Sequence, residues 1–365
     1  MNNYSMFLPS YTIGENAYNE INSICSVYGK TAVVVGGYKA MAAAKTHFER
    51  ALGGKGIVIT DYIHFGGECS YGNVSTMAAN KTIMKADMIF AVGGGKATDT
   101  CKCIGEMLDK PVFAFPTIAS NCSCCTSVSI MYTAEGVFVE PHFLEKPPIH
   151  TFINTRIISE SPTKYMWAGI GDTYAKFYEA EVSSRGEDLE HFTDLGVTMS
   201  PMCVNPLLKY GKIALENNKA CIASYELQQV VLAITVSTAL VSIFVTRDHT
   251  PDYNSGLAHA IYYALTSIRE IEENHLHGEV VAFGVLILLL CDENYDEFER
   301  VYAFNKSVSL PTSLSAIGIT DAQMAAIIPK IPAMGDIKHY PYKVTEEMLE
   351  KAFAELKKYG ERGSF

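Results

Sequence analysis

Long apolar runs are scarce in this chain. The strongest, Val280 to Cys291, is interrupted by Gly284 and falls well short of the roughly 20 residues that a membrane-spanning helix needs. It reads as a buried core helix, and no segment is expected to span a bilayer. Positive charge is also in deficit: 29 Lys and Arg stand against 40 Asp and Glu, a formal net charge of -11. A nucleic-acid binder needs a cationic face to displace phosphate counterions, so that class is excluded and small-molecule chemistry is favoured. The opening residues, Met1-Asn-Asn-Tyr-Ser-Met-Phe, lack the basic region and apolar core of an export signal, and a cytoplasmic protein is expected. No internal repeat, low-complexity tract or acidic tail is present. Cysteine is not scarce, but the ten are scattered. The cluster Cys122, Cys124 and Cys125 has no matching Cys or His pair at zinc-module spacing, so reduced thiols are expected.

With 365 residues, 48% hydrophobic and 19% charged, the chain is long enough for two domains around separate cores. Its first part alternates short β-branched runs with helical stretches. Strands are predicted over 31–36, 56–60, 87–92 and 111–115, and helices over 39–52, 70–85 and from Asp99 through Leu108. Strand, helix, strand in this order implies a doubly wound, mostly parallel α/β sheet. Ligands in such sheets gather at the carboxyl ends of the strands. There the third strand runs into Gly93-Gly-Gly95-Lys-Ala-Thr-Asp99. The bland reading is a tight turn needing positive φ. The functional one is a backbone cradle for a pyrophosphate at a helix N-terminus, although neither G-x-G-x-x-G nor a Walker loop is present. From about Ser161 helical periodicity takes over, in 168–183, 207–217, 227–245, 257–271 and 280–291. The expected division is an α/β nucleotide domain over 1–160 and an all-α domain over 161–365, with Pro147-Pro148 and 154–162 as boundary material.

Three residues of the helical part attract attention: Asp172 in Gly169-Ile-Gly-Asp172, His259 in Gly256-Leu-Ala-His259, and His277 in His275-Leu-His277-Gly278. A lone Asp near glycine is usually a cap, and a lone His on an apolar segment is usually a core residue. Together, one carboxylate and two imidazoles make a donor set that zinc or ferrous iron accepts, with a coordination position left open for catalysis. His275 and Tyr263 are candidate proton-relay residues, with packing or support of the ligands as the alternative for each.

Over nearly its whole length the sequence resembles the iron-containing, or group III, metal-dependent alcohol dehydrogenases, which have a dehydroquinate-synthase-like fold. The motifs that carry the resemblance are Gly93-Gly-Gly-Lys-Ala-Thr-Asp99, Pro116-Thr-Ile-Ala-Ser120, Gly169-Ile-Gly-Asp172, His259-Ala260 and His277-Gly278. The resemblance implies hydride transfer between NAD or NADP and a small alcohol or its carbonyl, with one divalent metal on Asp172, His259 and His277. It implies that Gly94, Gly95, Lys96 and Asp99 surround the pyrophosphate and neighbouring ribose. Thr117 and Ser120 would then line the adenosine side, and Thr126, Val128 and Tyr132 the nicotinamide end. The glycerol dehydrogenase branch is similar, with zinc expected over iron, because Lys176 stands where iron-dependent members carry another histidine. That branch has an aspartate contacting polyol where Cys122 stands here, whereas Asn121-Cys122-Ser123 is more similar to hydroxycarboxylate dehydrogenase A, a 2-oxo acid reductase. After the first strand, Gly36-Gly37-Tyr38-Lys39 lacks the acidic residue that rejects a 2′-phosphate, and Lys39 would attract one. The expected partners are a small-molecule substrate and further copies of the chain, with no nucleic acid or membrane. A dehydroquinate-synthase-type lyase and a catalytically idle nucleotide sensor are the readings to set against this one.

Overall fold

In the computed structural model the described residues are 4–247, 249 and 253–362. By its internal contacts the chain divides into two compact units. Residues 1–165 and 216–243 form the first, and residues 166–215 and 244–365 the second. The sequence suggested two consecutive blocks, whereas here 216–243 belongs with the first unit.

The first unit is built on a six-stranded sheet. Its strands are β1 (Tyr11–Ile13), β2 (Thr31–Gly36), β3 (Val58–His64), β4 (Met88–Gly93), β5 (Val112–Pro116) and β8 (His150–Ile153), all parallel, in the order β1-β8-β5-β4-β2-β3. A separate antiparallel hairpin pairs β6 (Val128–Tyr132) with β7 (Phe138–Phe143). The central strands are apolar without interruption because both faces are covered. Ala32, Val34, Phe90 and Val92 enter one core with the Tyr38–Leu52 helix, while Val33, Val35, Ile89 and Ala91 enter another with the Tyr71–Ala78 and Gly95–Leu108 helices. Aromatic rings fill the first core: Phe115 lies 4.8 Å from Phe90, 4.9 Å from Phe48 and 5.0 Å from Phe152.

Strand order reverses between β2 and β4, which places Gly36-Gly37 and Gly93-Gly-Gly95 side by side at their carboxyl ends. A Cβ on Gly36 would sit 2.1 Å from the Val92 carbonyl oxygen, and Gly93 adopts φ +148°. Glycine is needed at both positions, for closeness and for backbone conformation respectively.

Several element bounds differ from the sequence reading for local reasons. The 70–85 helix is two, Tyr71–Ala78 and Lys81–Lys85, because Asn80 caps the second by accepting the Thr82 and Ile83 N–H groups. The second sheet strand begins at Val58 instead of at Gly56, whose φ is +93°. The 257–271 stretch is also two helices, Leu257–Leu265 and Arg269–Asn274, parted where the Thr266 and Ser267 hydroxyls bond back to carbonyls.

All strands among the described residues precede Thr155, and the second unit is helical. The expectation of no spanning segment needs correction. The helix Tyr225–Val245 is long and apolar enough to cross a membrane, but 72% of its apolar window is buried inside the protein. It contains a π-turn at Ala233–Ser237, where the Thr235 and Thr238 hydroxyls satisfy the Val231 and Ala233 carbonyls.

Candidate active site

The three metal candidates lie on three helices of the second unit: Asp172 on Thr163–Ser184, His259 on Leu257–Leu265, and His277 at the start of His277–Cys291. Missing side chains let the helices close. A Cβ on Gly278 would lie 2.0 Å from the Ala168 carbonyl oxygen, and one on Gly171 would lie 2.3 Å from that of Gly278. Similarly, a Cβ on Gly284 would meet the Ala258 carbonyl oxygen at 2.6 Å. Glycine at these crossings brings the backbones to a distance that short ligand side chains can span.

The donors converge. Asp172 Oδ1 is 3.1 Å from His277 Nε2 and 3.5 Å from His259 Nε2, and one donor atom from each residue lies within 4.8 Å of the others. Donors about 2.1 Å from a tetrahedral ion stand about 3.4 Å apart, so the residues fit a divalent cation with few adjustments. The His277 side chain is 40% exposed, whereas those of Asp172 and His259 are 20% and 10% exposed, so the open side lies towards His277.

Glu179, fully buried and two helical turns after Asp172 on the same face, was not singled out by the sequence. Its Oε1 accepts the His259 backbone N–H at 2.9 Å, and its Oε2 lies 2.7 Å from His259 Nδ1. A proton on Nδ1 therefore points to Glu179 and leaves the Nε2 lone pair for the cluster, the carboxylate–histidine arrangement common behind metal ligands. The spacing of seven from Asp172 was the available signal. Tyr262 was missed too, and its ring meets that of His277 edge-on at 4.4 Å.

Charge in the cluster is strongly perturbed. Burial alone would raise the Asp172 carboxyl, but the His277 charge and hydrogen bonds from both imidazoles hold it far below the usual carboxylate range. Burial would lower His259, yet Glu179 and then Asp172 push it up to about 10. Protonated imidazole cannot ligate, so a metal ion must displace that proton.

His275 lies outside the three-donor group. Its Nδ1 is 2.9 Å from Glu279, whose other oxygen accepts the Leu276 N–H at 3.0 Å and so caps the helix that begins at His277. The Tyr263 ring lies 6.1 Å from that of His259. Lys176 is buried and donates to the carbonyl and side-chain oxygens of Asn254.

The nucleotide candidates occupy the first unit. Gly94 and Gly95 open the Gly95–Leu108 helix, and Cβ atoms there would sit 2.7 Å from Ile118 and from Asn121. Lys96 pairs with Glu68 and lies 5.1 Å from the centre of the Tyr132 ring. Thr117 donates its N–H to Gly93, Ser120 is half-buried, and the Thr126 hydroxyl bonds the Val128 carbonyl on the hairpin. Asp99 is turned inward, 4% exposed, with Lys102 at 2.8 Å, the Ser123 hydroxyl at 2.6 Å and the Ile130 N–H at 3.2 Å. Buried Lys102 also donates to the Ser123, Thr126 and Val128 carbonyls. This ion pair ties the glycine-loop helix to segment 123–130, and Lys102 was not anticipated from the sequence. No disulfide joins the ten cysteines.

The family model for iron-containing alcohol dehydrogenase matches residues 9–145. A glycerol dehydrogenase of Thermotoga maritima is 32% identical over 308 residues, 81% of each chain. The chain belongs to the iron-containing alcohol dehydrogenase family. It is also similar to hydroxycarboxylate dehydrogenase A of Escherichia coli K12, 29% identical over 334 residues and 90% of each chain. In fold it matches the crystal structure of glycerol dehydrogenase from Schizosaccharomyces pombe, with a TM-score of 0.85 at 23% identity, covering 99% of this chain and 92% of that one. As an alcohol dehydrogenase it is a metal-dependent oxidoreductase that interconverts an alcohol and its carbonyl. This favours that chemistry over the lyase and sensor readings. Arg269, the one arginine near the two imidazoles in sequence, pairs with Glu273 at 2.6 Å.

Proposed function

We propose that this alcohol dehydrogenase uses NAD or NADP and one divalent ion, zinc in preference to iron, to interconvert a small polyol or 2-hydroxy acid and its carbonyl. The observation that carries the reading is the convergence of Asp172, His259 and His277, with Glu179 behind His259. Lys176 is engaged by Asn254, and a set of three donors with one open position is the ligand count of catalytic zinc. When bound, the ion supplies Lewis-acid stabilisation to a substrate oxygen, and the nicotinamide supplies or accepts the hydride. The chain's own part is positioning. Glu179 holds His259 in the ligating tautomer, Tyr262 fixes the His277 ring, and the cap by Glu279, with His275 beside it, fixes the start of the helix that carries His277.

For the nucleotide, the Gly94 and Gly95 amides with Lys96 hold the pyrophosphate at the helix N-terminus. Asp99 and Lys102 act from behind by holding the segment that carries Thr126 and Val128. Lys39 is exposed and Gly36-Gly37-Tyr38-Lys39 contains no acidic residue, so a 2′-phosphate meets a cation and no repelling carboxylate from this turn, and NADPH is accepted as well as NADH.

The choice between substrate classes turns on segment 121–123. Asn121 Oδ1 accepts the Ser123 N–H at 3.1 Å, and the Ser123 hydroxyl is turned to Asp99, so this stretch presents no carboxylate. An anionic substrate meets no repulsion there, which favours a 2-oxo acid as the second reading beside a glycerol-like polyol. NADH and NADPH oxidation would be followed against glycerol-derived ketones, simple aldehydes and 2-oxo acids, with zinc, iron or chelator present. Metal-dependent turnover of one class is expected; full activity after chelation would sink the proposal.

A further inference from the structure

Beneath the nucleotide loop the first unit holds a second group of metal-ligating side chains, made of sulfur. The Cys69 and Cys103 thiols both donate to the Met131 thioether on β6, at 3.7 Å and 3.9 Å, and lie beside one another. These three come from separate elements: the turn before the Tyr71–Ala78 helix, the Gly95–Leu108 helix, and the hairpin. Cys69 and Met131 are completely buried and Cys103 is 6% exposed, so Cys103 is the one of the three that solvent touches.

The separations match a trigonal ion. Three sulfurs about 2.3 Å from a central metal lie about 4.0 Å apart, close to both sulfur distances above. Two thiolates and a thioether form a soft donor set that selects Cu(I) among biological cations, whereas zinc in a structural site takes four ligands in a tetrahedron. The surroundings favour a thiolate at Cys103, whereas Cys103 itself, burial and the Asp99 charge hold the proton on Cys69, which an arriving ion must displace. The Thr100 and Ser129 hydroxyls, which donate to the Lys96 and Asp99 carbonyls, lie beside Cys69 and Cys103 respectively, and His142 and Lys102 favour a thiolate at Cys103. Such outer groups orient ligands and tune the metal. Packing alone accounts for buried cysteines, but not for sulfurs from three separate elements meeting about Met131 at coordination spacing.

We propose that Cys69, Cys103 and Met131 form a trigonal site for a soft monovalent cation, Cu(I), separate from the centre on Asp172, His259 and His277. Binding transfers the two thiol protons to solvent and changes no oxidation state. A bound ion would cross-link three elements behind the glycine loop.

The test is anaerobic titration of the zinc-loaded full chain with Cu(I) buffered by a competing chromogenic chelator, followed by X-ray absorption at the copper edge. One Cu(I) per chain should be withdrawn from the chelator, with three sulfur neighbours at about 2.3 Å. The C69A/C103A double variant should lose that equivalent. M131L, nearly equal in volume, should keep two sulfurs and bind about tenfold more weakly or worse, as lost metal partners generally do. A C122A/C124A/C125A variant should bind as the parent does. Failure of the parent to compete, two or four sulfurs in its spectrum, or loss of copper only in the triple variant would overturn the assignment. The parent's spectrum decides the matter even where a variant fails to fold.

Discussion

Glu179 shows how much one side chain can decide without touching a reacting atom. Its carboxylate is fully buried and receives both the backbone N–H and the ring N–H of His259. E179Q keeps the shape but removes the charge, so the His259 tautomer is no longer fixed. Metal affinity should fall about 10–100-fold, the usual cost of losing such a partner, with the circular dichroism spectrum unchanged. Affinity equal to the parent's in a zinc-buffered competition would show that Glu179 is only a packing residue. D172A, by contrast, removes a donor, and should abolish both metal retention and turnover while leaving the fold largely intact.

Elements bring these residues together, and here glycine matters more than the ligands do. A methyl group on residue 278 would overlap the Ala168 carbonyl, and both helices are anchored by buried neighbours, so G278A must push them apart. Overpacking of this kind costs about 1–3 kcal/mol. It should appear as a lowered denaturation midpoint together with weakened metal binding, because the 3.1 Å approach of His277 to Asp172 depends on that crossing. A variant with lost stability but parental metal affinity would contradict the argument. A second element-scale prediction concerns Asp87 at the start of β4. It accepts the Lys30 N–H, the Thr31 N–H and the Thr31 hydroxyl, and these bonds, in that order, hold its carboxyl below the ordinary value. A depressed folded value means the contribution is present above the unfolded carboxylate pKa, about 3.9, and is lost as pH falls through the folded value. D87N should therefore be less stable than the parent at neutral pH, and the denaturant midpoints should converge as the pH falls through the depressed folded value. A gap independent of pH would mean that the charge is not what the N–H groups require.

For the molecule as a whole, the legible and illegible features of the sequence separate along physical lines. The parallel sheet was legible because strands covered on both faces become unbroken apolar runs, as in Ala32 to Val35 and Met88 to Val92. Asp172, His259 and His277 were legible through their glycine-rich surroundings, which the helix crossings now explain. The short strands β1 and β8 and the β6–β7 hairpin were not, because three to six residues beside prolines and serines leave no periodicity to read. Nor were Lys102 and Glu179, since burial of a charge depends on partners distant in the chain. The same long separations have a thermodynamic consequence. The three candidate ligands span more than 100 residues of the chain, and an ion that binds only when they meet would stabilise that arrangement by about 2.7 kcal/mol at a hundredfold excess over its dissociation constant. All three belong to the second unit. Zinc added to chelated protein should therefore slow amide hydrogen exchange in the Thr163–Ser184, Leu257–Leu265 and His277–Cys291 helices. The sheet strands β2, β4 and β5, whose amides pair within the first unit, should exchange at the same rate with or without zinc. Equal protection gained by the sheet would mean that the ion acts on the chain globally, and not through the three helices that carry its ligands.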